Sequence, residues 1–316
     1  MKILLPDTID LDPTTRPDDV VVRYAVDEPV PDEHTDADVL VAWANPAAGL
    51  EDAARRLTRL RLVQTLAAGP DSVLGAGFAA DVAVASGRSL HDGPVAEHAL
   101  ALVLAGLRRL DRLRAAQREH RWDAALGREQ ADPATAGRFT LDGANVTIWG
   151  FGSIAGRLAP VLGLLGAHVT GVARTAGVRD GVRVVTEEDL SGDAGVLATT
   201  DVLVSLLPAT PATHHAIDAE RLAALPDHAL VVNVGRGSAL DEDALVAALR
   251  EGRLGGAALD VTEKEPLPAD SPLWDAPRTT LTPHVAGGRP QGADRLLEDQ
   301  LAALRAGEPV RNVVDR

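Results

Sequence analysis

Val146-Thr147-Ile148-Trp149-Gly150-Phe151-Gly152-Ser153-Ile154-Ala155-Gly156 is the stretch that decides the fold. A β-branched run that meets a glycine and continues into an Ala/Leu-rich segment predicts strand, tight turn and helix in succession. Gly150 permits the turn, Gly152 lets the backbone approach a pyrophosphate, and Ala155 fills the third small position. The N-terminus of the following helix offers oriented N–H groups to an anion. A glycine pattern alone is weak evidence and fits a ligand-free turn as well. The strand before it and the helix after it are what a dinucleotide fingerprint requires.

Outward from this turn, further β-rich runs at His168 to Val172, Val202 to Leu206, Leu230 to Val234 and Ala257 to Val261 alternate with helical patterns, one of them opening after Asp241 as N-cap. Upstream, Ile3 to Leu5, Val20 to Tyr24, Val39 to Trp43, Leu62 to Leu66 and Val82 to Ala85 repeat the alternation, so a second parallel sheet is expected. Between the two series, Val95 to Gln117 reads as one long helix and 127 to 139 as an exposed loop. A last helix is expected over about Pro290 to Ala306.

Composition narrows the function. The 316 residues suggest about two domains. The chain is 46% hydrophobic and 24% charged, an ordinary globular balance, with so few aromatics (3%) that the cores must be aliphatic. The net charge is 31 − 46 = −15, which disfavours nucleic acid and anionic lipid as partners and leaves an anionic substrate dependent on local arginines. No cysteine is present, so thiolate nucleophiles, disulfides and Cys-ligated metals are ruled out. Met1 to Leu5 runs straight into Pro6 and Asp7, too short for an export signal, and Val95 to Leu107 is broken by Glu97 and His98, so a soluble cytoplasmic protein is expected. Neither a Gly-x-Ser-x-Gly elbow nor a Walker-type Gly-Lys is found. The arginines at 108, 109, 112, 114, 118 and 121 are interleaved with Asp111 and Glu119 and read as a solvated or subunit-contacting face. His214 and His215 are adjacent without a recognised ligand spacing, so no metal is expected.

Three further segments carry chemistry: Asn233-Val234-Gly235-Arg236-Gly237, Leu259-Asp260-Val261 through Glu265-Pro266, and Thr282-Pro283-His284. Each follows or lies near a predicted strand end, where open α/β sheets bind ligands. A histidine there can donate a proton to a nascent alkoxide, a carboxylate beside it orients the ring, and an arginine can bridge a carboxylate and a carbonyl. Singly, each has a bland reading: a satisfied histidine, a surface carboxylate, a helix-terminal ion pair. Their joint occurrence with the glycine turn favours reduction of a 2-oxo acid. After the next strand, where NAD-binding folds place an acidic residue, stand Ala173 and Arg174, so NADP(H) is favoured over NAD(H), which stays possible.

With Ala67-Ala68-Gly69-Pro70-Asp71, Gly93-Pro94-Val95-Ala96-Glu97-His98 and Thr282-Pro283-His284-Val285-Ala286-Gly287 added, the chain resembles the D-isomer-specific 2-hydroxyacid dehydrogenases over nearly its whole length. The separation 265 − 236 = 29 also resembles that family's spacing. The resemblance implies an α/β chain of two Rossmann-like domains with a cleft between them. One is a flavodoxin-like substrate domain (1–93 plus 287–316), the other a doubly wound NAD(P)-binding domain (94–286). It implies Arg236, Glu265 and His284 as the catalytic set and the backbone of Ala68 and Gly69 as the holder of the substrate carboxylate. Cofactor contacts would fall on Gly150, Gly152, Ser153, Ile154, Arg174, Thr175, Leu207, Pro208, Val234, Asp260 and Gly287, with Asp260 facing the nicotinamide amide. A homodimer and a small 2-oxo or 2-hydroxy acid substrate are implied as well. Two other readings remain open at this point: a nucleotide-sensing, corepressor-like binding protein, and oxidation of phosphite on the same scaffold.

Overall fold

A computed structural model of the chain describes residues 1–192 and 195–314. The chain folds into two compact units, Met1–His91 with Arg289–Arg316, and Asp92–Gly288.

In the first unit the sheet is built from β1 (Lys2–Pro6), β2 (Val20–Tyr24), β3 (Val39–Ala42), β4 (Leu62–Thr65) and β5 (Ala83–Ala85). Their order is β2-β1-β3-β4-β5 and each neighbouring pair is parallel, the flavodoxin-like arrangement. Parallel strands need crossovers that cover both sheet faces, which is why the inner strands β1, β3 and β4 are buried and largely apolar, while the edge strand β2 is mostly exposed. Leu4, Leu40 and Val63 face α1 (Ala47–Arg56) through its Leu50 and Ala53. Ile3, Leu5, Val39 and Val41 face Leu296, Leu297 and Leu301 of the C-terminal helix, Ala293–Ala306. A buried amide pair fixes that helix: Gln300 Nε2 donates to Gln64 Oε1 at 2.7 Å and to the Arg311 carbonyl at 2.9 Å. The helix starts three residues later than Pro290, after Gly292 in a left-handed conformation (φ 76°). A short helix, α2 (Asp71–Gly75), follows β4.

The second unit opens with α3 (Asp92–Leu107), α4 (Leu110–Arg118) and α5 (Ala124–Ala131). Then come β6 (Asn145–Trp149), α6 (Ser153–Leu164), β7 (His168–Val172), β8 (Gly177–Arg179), β9 (Val182–Val185) and β10 (Val202–Ser205). The unit closes with α7 (Ala219–Ala223), β11 (Leu230–Asn233), α8 (Glu242–Arg250), β12 (Gly256–Leu259) and β13 (Thr279–Leu281). The sheet order is β13-β12-β11-β10-β6-β7-β9-β8, parallel except for the β8–β9 hairpin. Strand order reverses between β6 and β10, so the Gly150 turn sits at the topological switch point where doubly wound sheets bind ligands. Val146, Ile148, Val204 and Val232 share a core with Leu102 of α3 and Leu158 of α6, while Leu203, Val231 and Leu259 share one with Leu245 and Leu249 of α8. Both expected parallel sheets are thus present, and the fold is α/β with two Rossmann-like units.

The helix expected over Val95 to Gln117 is two helices. It breaks at Arg109, which takes a left-handed backbone (φ 54°) and donates from Nη1 to the Gly255 carbonyl at 2.8 Å. The expected 127–139 loop instead holds the end of α5 and a 3₁₀ turn, Ala136–Phe139. Asp123 caps α5 by accepting from the Leu126 N–H at 3.2 Å, and Arg112 holds the same carboxylate at 2.7 Å. That guanidinium, with the Leu126 N–H and Arg121 adding to it, keeps the Asp123 carboxyl well below the usual carboxylate range. Three strands went unforeseen, β8, β9 and β13, each of three or four residues and too short for a periodic pattern.

Candidate active site

Arg236 stands just beyond β11, on a turn shaped by a fully buried asparagine. Asn233 Oδ1 accepts from the Gly235 N–H at 3.1 Å and its Nδ2 donates to the Arg236 carbonyl at 3.1 Å. Arg236 Nη1 donates to the Gly235 carbonyl at 2.9 Å, which folds the side chain over its own turn. Gly237 then passes so close to the next loop that a Cβ there would lie 2.0 Å from the Thr262 carbonyl carbon and oxygen. Glycine at 237 is therefore what lets the two loops touch.

From that contact the hydrogen bonds run on to the histidine. The Thr262 N–H donates to Glu265 Oε1 at 3.1 Å. Glu265 Oε2 lies 2.6 Å from His284 Nδ1, so the ring carries its proton on Nδ1 toward the carboxylate and keeps Nε2 for exchange. His284 is about half exposed, open to a substrate. The sequence-predicted Glu265 and His284 are thus in direct contact, and Arg236 lies on the loop adjoining theirs.

Asp260 does more than the sequence indicates. Its buried carboxylate accepts from Thr282 Oγ1 at 2.6 Å, the Val285 N–H at 3.0 Å and the Ala286 N–H at 2.9 Å, while its carbonyl accepts from the His284 N–H at 2.7 Å. Residues 282–286 are wrapped around one side chain. That clamp holds His284 at φ 53°, a backbone conformation that costs a non-glycine residue about 1–3 kcal/mol. Since Thr282 spends its proton on Asp260, its oxygen accepts from His98 Nε2 at 3.0 Å, and this ring also stands 3.4 Å from Asp260 Oδ1. The 184 residues separating His98 from Thr282 hide this contact in the sequence.

At the switch point, Gly150 adopts φ +103°, and a Cβ there would sit 2.7 Å from the Leu206 carbonyl. Gly152 is the N-cap of α6; a Cβ on it would meet nothing within 4 Å, and the first turn of α6 has no acidic residue. Open space over uncapped N–H groups suits a pyrophosphate. Ser153 Oγ donates to Asp92 Oδ1 at 3.1 Å, and Ile154 packs inward beneath the turn. Past β7, Arg174 and Thr175 are exposed, and among the described residues Arg174 makes no ion pair. Arg179, absent from the sequence reading, donates to the carbonyls of Phe151 at 2.8 Å and Thr175 at 2.9 Å and ties the glycine turn to the Arg174 loop. Leu207 and Val234 are buried at their strand ends, whereas Pro208 is exposed and Gly287 half-buried. These residues fit a dinucleotide.

Ala68 and Gly69 belong to the other unit, on the loop between β4 and α2. In that unit Trp43 stacks on His91 with ring centroids 5.6 Å apart, and His91 Nε2 bonds the Leu66 carbonyl at 2.8 Å. Trp274 is exposed and donates from Nε1 to the Pro268 carbonyl at 2.8 Å. No helix among the described residues is long and apolar enough to cross a membrane.

Residues 100–286 match the profile of the D-isomer specific 2-hydroxyacid dehydrogenase NAD binding domain. The chain belongs to the D-isomer specific 2-hydroxyacid dehydrogenases. It is therefore an NAD(P)-dependent oxidoreductase. A glyoxylate/hydroxypyruvate reductase A from Escherichia fergusonii is 34% identical over 292 residues, covering 90% of this chain and 88% of that one. A family member from Xanthobacter autotrophicus Py2, solved in complex with NADPH and MES, superposes with a TM-score of 0.80 at 31% identity, covering 99% of this chain and 97% of that one. An NADPH-dependent glyoxylate/hydroxypyruvate reductase from Sinorhizobium meliloti, solved with NADP and sulfate, gives 0.80 at 28% identity, covering 99% and 98%. Within this dehydrogenase chain, Arg236, Glu265 and His284 lie on three adjoining loops of the unit that the profile matches.

Proposed function

We propose that the chain reduces a small 2-oxo acid to the D-2-hydroxy acid with NADPH and catalyses the reverse oxidation with NADP⁺. The observation that carries this reading is the 2.6 Å contact between His284 Nδ1 and Glu265 Oε2, on a turn that Asp260 holds in place. Residues 1–93 with 287–316 would form the substrate domain and 94–286 the nucleotide domain.

When bound, the nicotinamide supplies the hydride for the carbonyl carbon. Arg236 attracts the substrate's negative charge and polarises the carbonyl, as a permanent cation with a planar fork can. The backbone N–H groups of Ala68 and Gly69 hold the carboxylate. His284 gives the proton on Nε2 to the carbonyl oxygen, and Glu265 orients the ring and balances the imidazolium charge before that transfer. Protonated again from water, His284 is ready for the next cycle; in the oxidative direction it takes the hydroxyl proton instead.

Arg174 supports the preference for NADPH, because an exposed guanidinium at the end of β7 can pair with a 2′-phosphate. Glyoxylate and hydroxypyruvate, the substrates named for the Escherichia and Sinorhizobium relatives, are the first to test. The deciding experiment is an activity matrix of glyoxylate, hydroxypyruvate, pyruvate and larger 2-oxo acids against NADPH and NADH, with phosphite and NADP⁺ as a separate arm. Turnover of a 2-oxo acid with NADPH is expected; turnover of phosphite alone, or of none, overturns the reading.

A further inference from the structure

We propose that His214, His215 and Glu263 form a site for a divalent transition-metal ion of the zinc, nickel or copper class. The sequence hides this grouping, because Glu263 lies 48 residues from His215. One ligand atom from each residue falls within 4.8 Å of the other two. Both imidazoles turn Nε2 toward a single carboxylate oxygen, Glu263 Oε1, at 2.9 Å from His215 and 3.7 Å from His214.

A hydrogen bond between His215 and Glu263 accounts for one ring and leaves the other unexplained, since 3.7 Å is too long for His214 to share it. An ion accounts for both. Bonds of about 2.0–2.1 Å in a tetrahedral zinc site place ligand atoms about 3.3–3.4 Å apart. The two histidine–carboxylate separations straddle that value, and the two imidazole nitrogens, within 4.8 Å of one another, reach it by side-chain rotation. The rings are stacked with centroids 4.1 Å apart.

The backbone beneath the ligands is already fixed. The His215 N–H donates to the Ser238 carbonyl at 2.8 Å, Thr213 Oγ1 donates to the Pro208 carbonyl at 2.6 Å, and the Glu263 N–H donates to Glu242 Oε1 at 2.6 Å. Glu242 and Glu265 add negative charge nearby. Two imidazoles and one carboxylate select borderline transition ions over magnesium and calcium, which prefer all-oxygen shells. Water would complete the coordination of these exposed residues. A bound ion would link the segment after Leu207 and Pro208 to the loop that carries Glu265.

The test is calorimetric titration of Zn²⁺ into the untagged, metal-stripped full chain without cofactor or substrate, so its outcome is independent of the proposed reaction. The expected result is one Zn²⁺ per chain, no response to Mg²⁺, and affinity lowered by about tenfold or more in both His214→Ala and Glu263→Gln. Absence of saturable binding, or wild-type affinity in either variant, overturns the proposal.

Discussion

The chemistry proposed for His284 depends on Asp260, a carboxylate that need not touch the substrate. Three donors from residues 282–286 end on its oxygens, so removing one leaves a buried charge short of a partner. Thr282→Val should therefore destabilise the protein by about 1–3 kcal/mol and lower kcat while leaving the KM for NADPH near its wild-type value. Thermal unfolding and steady-state kinetics check this, and an unchanged kcat would contradict the clamp. Arg174→Ala should raise the KM for NADPH by about tenfold to a hundredfold, the worth of a charge-assisted phosphate contact, and leave NADH unaffected. Equal effects on the two cofactors would remove Arg174 from the site. At this scale the sequence discloses residue types suited to a task, such as Arg236, Glu265 and His284. It does not disclose partners, because His98, Thr282 and Asp260 meet only after folding.

Among elements, the tightest constraint is the crossing of two loops at Gly237. A methyl group there would drive the Arg236 turn away from Thr262 and hence from Glu265. Since a displacement of about 1 Å costs roughly a hundredfold in rate, Gly237→Ala should lose about that much kcat with NADPH affinity preserved, because the Gly150 turn is on another loop. Loss of cofactor binding would show that the damage spreads further. The α4–α5 segment offers a second test through Asp123, whose carboxyl is depressed by Arg112. A depressed carboxyl contributes stability above its unfolded pKa of about 4 and loses it as pH falls toward the folded value. The hydrogen-exchange protection of residues 110–131, taken relative to intrinsic exchange at each pH, should fall below about pH 4 in the wild type, and Asp123→Asn should flatten that dependence. These helices were poorly legible for a physical reason: the break at Arg109 is fixed by the distant Gly255 carbonyl, while the local pattern runs on without interruption.

For the whole molecule, the architecture was legible because parallel strands buried on both faces must be largely apolar, and ten short β-rich runs in two series alternating with helical patterns leave few alternatives. What escaped were the two edges of the larger sheet, β13 on one side and the brief β8–β9 hairpin on the other. Arg179 on that hairpin braces the glycine turn, so a functional support went unseen with it. A chain of net charge −15 repels anionic substrates overall, and its local arginines must reverse that field where chemistry occurs. The central claim is that His284 passes the proton in the reduction of a 2-oxo acid. The measurement that tests it most directly is kcat for NADPH oxidation with glyoxylate in His284→Ala, taken alongside NADPH affinity by fluorescence titration. A fall in kcat of about a hundredfold to ten-thousandfold with NADPH affinity unchanged is the predicted result; wild-type turnover in the variant would contradict the account.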